Sequence, residues 1–188
     1  RNGHTAQLAR LLARGIEEVD GLRARLRQVP PVAPSTEIAS PPVPEQGAPY
    51  VNLRDLSECT GLALGSPTRF GNMAAPLKAF IDDTGSDWAS GTLVGKPAAV
   101  FTSTSTIHGG QESTLLSMML PLLHHGMLIV GLPYTESALH RSHSGGSPYG
   151  ASHWTNNGHR EIDADEQELA RALGRRLAEV ARRLQAAP

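Results

Sequence analysis

Hydrophobic positions recur along this chain in two alternating rhythms. Over Thr5 to Val19, Leu8, Leu11, Leu12, Ile16 and Val19 fall on one stripe of a helix, and Gly21 stands just past its end. Leu22 to Val29 sets Leu22, Ala24 and Leu26 against Arg23, Arg25 and Arg27, the pattern of an edge strand with one wet face. Seven prolines between Pro30 and Pro49 forbid regular structure and predict a long surface excursion. Gly61 to Ser66, Pro97 to Thr102 and Met127 to Leu132 are short apolar runs that read as buried parallel strands. Helices are predicted between them. One covers Ala74 to Thr84 with Leu77, Phe80 and Ile81 inward; the other covers Gln111 to His124 and is bent at Pro121. Leu132 to Asp163 has no periodicity and reads as a Gly- and His-rich excursion. Asp165 to Leu184 closes the chain as a helix, with acids at its start and Arg175, Arg176, Arg182 and Arg183 near its end, matching the helix dipole.

Strands alternating with helices predict one α/β domain over 1–188, an open parallel sheet with helices on both faces. A helix at Thr5 needs a strand before it, so the first strand of the sheet is expected to be absent from the chain. Composition agrees with a packed domain: 39% of the 188 residues are hydrophobic, although only 4% are aromatic. A formal charge of −1 gives no field that would draw nucleic acid or an anionic membrane. The single Cys59 excludes a disulfide framework and reads as an inert, buried thiol. No run approaches the roughly eighteen apolar residues of a membrane span, and no signal peptide is evident, so the cytoplasm is the expected location.

Ligands of open parallel sheets bind outside the carboxyl ends of the strands, which here means loops 1–5, 66–73, 103–111 and 132–154. Arg1-Asn2-Gly3-His4-Thr5 leads into a helix and can offer free N–H groups to a phosphate, or can be a plain N-cap. The loop from Ser66 to Asn72 carries Arg69 and Phe70, either to frame a flat heterocycle or to anchor itself. Thr102 to Glu112 is rich in hydroxyls and then doubly glycine, suited to close approach to a ring or to a flexible turn. His124-His125-Gly126 can cap a helix end or donate to a ring carbonyl. Other patterns fail. Gly91 to Lys96 is one residue short of a phosphate loop, no G-x-S-x-G is present, and His140, His143, His153 and His159 lack the partners of a metal site.

Taken in order, Gly65-Ser-Pro-Thr-Arg-Phe-Gly-Asn-Met73, Trp88-Ala-Ser-Gly91, Gly109-Gly-Gln-Glu112, His124-His-Gly-Met127 and Pro148-Tyr-Gly-Ala151 closely resemble the WrbA family of NAD(P)H:quinone oxidoreductases over essentially the whole chain. The resemblance implies a flavodoxin-like sheet of order 2-1-3-4-5 and bound FMN. In the family the phosphate loop follows the first strand as Tyr-Ser-x-x-Gly-His, so Arg1 stands one residue after that serine. By position, Arg1, Asn2, Gly3, His4 and Thr5 would hold the phosphate, and Pro67, Thr68, Arg69 and Phe70 would wrap the isoalloxazine. Ser103, Thr104, Ser105, Thr106, Ile107, His108 and Gly109 would line the ring and ribityl chain. His125 would contact the polar end of the ring and is the candidate for stabilising the reduced flavin. Trp88 would cover the substrate space, commonly from a neighbouring subunit of a homotetramer. Two features depart from the family: the 103–110 loop is one residue longer, and Asn2 stands where a tyrosine can occur.

The implied activity is a ping-pong, two-electron reduction of quinones at the expense of NADH or NADPH. FMN is favoured over FAD because one helix-start phosphate loop is present and no G-x-G-x-x-G is. Two other classes compete. A non-catalytic flavin-binding partner protein would dock through the Pro30–Pro49 and 140–159 segments. A flavodoxin-type electron carrier usually presents an acidic face, whereas this chain is near neutral with Arg69 in its loop.

Overall fold

The alternation read from the sequence is realised as a parallel sheet between two helical layers. The computed structural model describes residues 3–33 and 43–185. Strand β1 (Leu62–Pro67) pairs in parallel with β2 (Pro97–Thr104), from Leu62 opposite Ala98 to Pro67 opposite Ser103. The other edge of β2 is shared by two short strands. β3 (Leu128–Ile129) covers its start at Pro97 and Ala98, and β4 (Ala151–Trp154) covers its end from Phe101 to Thr104. β2 is therefore the centre, and every one of its residues is buried.

Two expectations need correction here. Met127 to Leu132 forms a ladder only at Leu128 and Ile129, and the Leu132–Asp163 excursion contains helix α6 (Ala138–Arg141) and strand β4. The chain leaves the sheet after Val130 and returns to the same flank of β2 as β4. A Cβ on Gly131 would lie 2.2 Å from the Pro148 carbonyl oxygen, so outgoing and returning chain touch backbone to backbone. Ala-Ser-His-Trp carries no alternation of its own; its strand geometry comes from pairing with β2.

Leu22–Val29 is a third correction. Among the described residues it makes one isolated bridge, Gln28 to Tyr50, and no strand lies beside it. An extended segment without a neighbouring ladder stays outside the sheet. Its arginines pair instead with helix α2 (Leu53–Glu58): Arg25 with Glu58 at 2.7 Å and Arg27 with Asp55 at 2.9 Å.

One face of the sheet carries α1 (His4–Glu17) and α7 (Ala164–Gln185), with Leu8, Leu12, Leu169, Leu173 and Leu177 packed on Ala99 and Phe101. The other face carries α3 (Ala75–Asp82) and α5 (Gln111–His124), with Leu77, Leu115, Met118 and Leu122 packed on Leu64 and Val100. Helix α4 (Gly85–Ala89) follows α3 and holds Trp88. No helix of the described residues is long and apolar enough to cross a membrane.

The α1–α7 contact is unusually close because two glycines face it. A Cβ on Gly15 would sit 2.0 Å from the Arg171 carbonyl oxygen, and one on Gly174 would sit 2.1 Å from that of Leu12. Glu18, just past α1, accepts from Arg171 and Arg175, and these cations hold its carboxyl below the usual range. Gly174→Ala and Gly15→Ala should each destabilise the fold by about 1–3 kcal/mol, since neither backbone can retreat without moving a helix. That corresponds to a thermal midpoint lower by roughly 2–10 °C. Gly85→Ala, where nothing lies within 4 Å, should leave the midpoint nearly unchanged in the same calorimetric comparison.

Candidate functional site

At the carboxyl ends of the strands, two loops and one helix start converge. Gly3, in the left-handed region at φ 76°, turns the chain into α1 and leaves the first turn without a side-chain cap. The first intrahelical bond runs from the Gln7 N–H to the Gly3 carbonyl at 2.9 Å, so the amides of residues 4 to 6 lie ahead of the helical ladder. Their partial positive charge favours an anion. His4 opens the helix and is buried, yet its Nδ1 has no hydrogen-bond partner among the described residues. Buried polar atoms are ordinarily paired, so an orphaned one at an uncapped helix start marks a place for a ligand. Thr5 Oγ1 lies 2.8 Å from Ser103 Oγ, which joins this turn to the end of β2.

The loop after β1 is tied to the same point. The Thr68 N–H donates to the Ser103 carbonyl at 3.0 Å, and Thr68 Oγ1 lies 2.6 Å from Thr114 Oγ1. Arg69 and Asn72 exchange backbone hydrogen bonds of 2.7 and 3.0 Å around a tight turn. Both central residues, Phe70 at φ 52° and Gly71 at φ 76°, are left-handed. That conformation suits glycine and is costly for a phenylalanine. The Phe70 ring gains no packing in return, for it is fully exposed. A ring held out in this way presents a free aromatic face to a planar ligand.

The hydroxyl-rich loop completes the rim. Ser105, Thr106, Ile107 and His108 are exposed, and the turn is closed by Thr104 Oγ1 donating to the Thr106 carbonyl at 2.9 Å. Gly110, at φ 94°, lets this loop meet the Phe70 turn: a Cβ there would lie 3.0 Å from Gly71 Cα. Gln111 then anchors the rim, donating to the Ile107 and Ser144 carbonyls and accepting from Ser152 Oγ.

Of the residues singled out by sequence, Gly3, His4, Thr5, Pro67, Thr68, Arg69, Phe70 and Ser103 to Gly109 thus share one end of the sheet. Arg1 and Asn2 lie outside the described residues. His125 and Trp88 do not join the group. α5 starts at the rim and runs back along the sheet for fourteen residues, roughly 20 Å, before His125 follows it. The Gly95 N–H donates to the Gly126 carbonyl at 2.9 Å, which fixes this corner beside the amino end of β2. Trp88 Nε1 donates to the His124 carbonyl at 2.9 Å in the same corner. The Thr84 hydroxyl donates to the Ile81 carbonyl, so His125 Nε2 must be the donor in its 2.9 Å contact with Thr84 Oγ1. Burial pushes the His125 imidazole below its ordinary value, against the pull of Asp87. Cys59 is half-buried, and burial raises its thiol.

Two buried residues, His153 and Glu166, and two half-buried ones, Asp163 and Gln111, have roles that the sequence did not assign them. Behind His4 lies His153, fully buried, its Nδ1 2.8 Å from Glu166 Oε2. Glu166 also closes a reciprocal cap with Asp163: the Glu166 N–H reaches Asp163 Oδ1 at 2.8 Å, and the Asp163 N–H reaches Glu166 Oε2 at 3.0 Å. The signal was present as Asp163-x-x-Glu166 ahead of an apolar run, but the excursion expected to end at Asp163 and the helix expected to start at Asp165 divide the pair. Gln111 carried no comparable signal.

Known proteins place these features in context. The model of the NADPH-dependent FMN reductase family matches residues 1–138. An NAD(P)H dehydrogenase (quinone) of Solidesulfovibrio magneticus is 43% identical over 98% of this chain and 95% of its own. A namesake from Syntrophobacter fumaroxidans is 44% identical over 97% and 93%. Among solved structures, a WrbA-like flavodoxin from Agrobacterium tumefaciens superposes with a TM-score of 0.63 at 22% identity, covering 96% of this chain and 91% of that one. An archaeal flavodoxin gives 0.59 at 18% identity, over 96% and 92%.

The turn geometry makes its own prediction. Phe70→Gly should remove a backbone penalty of about 1 kcal/mol without losing packing, raising the ligand-free thermal midpoint by roughly 2–4 °C. A lower midpoint would show that the ring supports the fold.

Proposed function

The chain belongs to the NADPH-dependent FMN reductase family, and from that premise we propose that it is an FMN-dependent NAD(P)H dehydrogenase that reduces quinones. The observation that carries the reading is the uncapped first turn of α1, with the orphaned Nδ1 of buried His4, set beside Thr5 and Ser103 at the carboxyl edge of a parallel sheet. The residues present fit FMN. Residues 3 to 5 would take its phosphate, Pro67 to Phe70 would flank its ring, and 103 to 109 would face the ring and ribityl chain. FMN supplies the two-electron redox chemistry when bound, with NADH or NADPH as donor and a quinone as acceptor. The protein's part is placement: amide dipoles for the phosphate, an exposed aromatic edge at Phe70, and neutral hydroxyl donors around the rim. An open shelf of this kind admits nucleotide and quinone in turn, which favours a ping-pong order. The need for NAD(P)H favours a cytoplasmic setting.

Trp88 and His125 enter the reading through a second copy of the chain. Within one chain they stand at the far end of the sheet from His4, in a corner rich in exposed apolar surface. Leu116, Leu120 and Leu123 line the outer side of α5, with Leu120 61% and Trp88 57% exposed. Apolar side chains spaced in this way on a helix are suited to self-association. We propose that copies pack through this face, as a homotetramer, and that Trp88 and His125 serve a neighbouring copy's flavin.

Reconstitution tests the activity. The protein loaded with FMN should show the oxidised flavin absorption, lose it anaerobically on NADH or NADPH, and regain it on benzoquinone. Flavin that binds but is bleached by neither nucleotide would favour an electron carrier and defeat the dehydrogenase reading. For the shared site, Leu120→Glu should reduce the mass measured by light scattering, and Trp88→Ala should lower quinone turnover about tenfold while retaining FMN. Equal loss of FMN and turnover in Trp88→Ala would make Trp88 a structural residue instead.

A further inference from the structure

His153 stands at the meeting point of three elements, and none of its contacts is explained by the core alone. It faces the α1–α7 side of β4 with no exposed surface, an expensive location for an imidazole without partners. Its Nδ1 meets Glu166 Oε2 at 2.8 Å, and its Nε2 lies 3.2 Å from the Arg160 carbonyl oxygen. Glu166, equally buried, also accepts from the Trp154 N–H at 3.2 Å, from Arg160 Nη1 at 3.1 Å and from the Asp163 N–H at 3.0 Å. Carboxylate and carbonyl oxygens only accept, so in this geometry both ring nitrogens donate, Nδ1 to Glu166 and Nε2 to the Arg160 carbonyl. The imidazole is thereby clamped on both edges.

The free side of that clamped ring meets His4. The two ring centroids are 5.0 Å apart with planes tilted by 42°, and neither His4 nitrogen bonds to another described residue. His4 Nδ1, itself enclosed by protein, is left unpaired beside that ring at the start of α1. We infer that His153, locked by Glu166 and the Arg160 carbonyl, is a positioning residue that orients His4 and the anion-accepting first turn of α1. The inference rests on the reading above that this turn receives the phosphate of FMN. It adds a support running from the start of α7 through β4 to that phosphate. Orientation matters because amide donors lose most of their strength once misaligned by tens of degrees.

Riboflavin, which lacks the phosphate, separates this role from general stability. The measurement is the ratio of riboflavin to FMN dissociation constants, from quenching of flavin fluorescence, alongside thermal midpoints. The wild-type protein should prefer FMN strongly. His153→Gln keeps an N–H donor toward Glu166 but removes the ring against His4; it should lower the preference about tenfold, through FMN alone. His153→Phe keeps the ring and loses the donor, so it should lower the midpoint while retaining more of the preference. Leu77→Ala, which opens the opposite core layer away from His4 and Glu166, should lower the midpoint and leave the ratio unchanged. A folded His153→Gln with the wild-type ratio overturns the inference. Should His153→Gln fail to fold, a His153→Phe ratio reduced as far as its midpoint overturns it equally. A wild-type protein indifferent to the phosphate overturns the phosphate reading itself, and the inference falls with it.

Discussion

The close crossing of α1 and α7 is the constraint on which the rest depends. Helices normally pack 8–10 Å apart, side chain against side chain. Here Gly15 and Gly174 remove that spacer, and each opposes a carbonyl oxygen of the other helix. The two axes are then fixed relative to each other with little freedom to slide. Because Leu8, Leu12, Leu169 and Leu173 also pack on β2, both helix starts are delivered to the carboxyl edge of the sheet. One start, bare of any side-chain cap, is the proposed anion site. The other, capped by Asp163 and Glu166, is turned inward and holds His153.

This arrangement divides the labour of the site. The rim residues that would touch a cofactor are mostly neutral beside the cation of Arg69, with Arg69, Phe70 and 105–108 exposed, and some are strained, as Phe70 is at φ 52°. The residues that hold them are buried and satisfied: Thr102 on the Ser66 carbonyl, Gln111 across two loops and β4, Glu166 among four donors. Strain at a ligand edge persists only where the supporting structure over-determines it. The chemistry then belongs to the cofactor, and the fold supplies a rigid, water-accessible shelf.

How much of this was legible in the sequence follows from what each signal measures. Periodicity reports burial of a face, so α1, α5 and α7 were readable to within two residues at either end, as were the buried runs of β1 and β2. β4 was not readable, because Ala151–Trp154 becomes a strand only by lying against Phe101–Thr104. The Leu22–Val29 alternation was real but had no neighbour, and its arginines found Asp55 and Glu58. Motif order was informative about family and silent about distance. His124-His125-Gly126 follows the rim motifs in the chain, yet a helix carries it to the opposite edge. His153 was noticed for the wrong property, as one histidine among several, while its partner Glu166 was read only as one of the acids at a helix start.

The central claim is that the bare first turn of α1 receives the phosphate of the flavin. Amide hydrogen exchange at residues 4 to 6 tests it most directly, compared between ligand-free protein and protein saturated with FMN or with riboflavin. FMN should slow exchange at these amides strongly, and riboflavin should leave them near the ligand-free rate while both protect the Phe70 turn. Equal protection by the two flavins, or FMN protection that spares residues 4 to 6, would contradict the account.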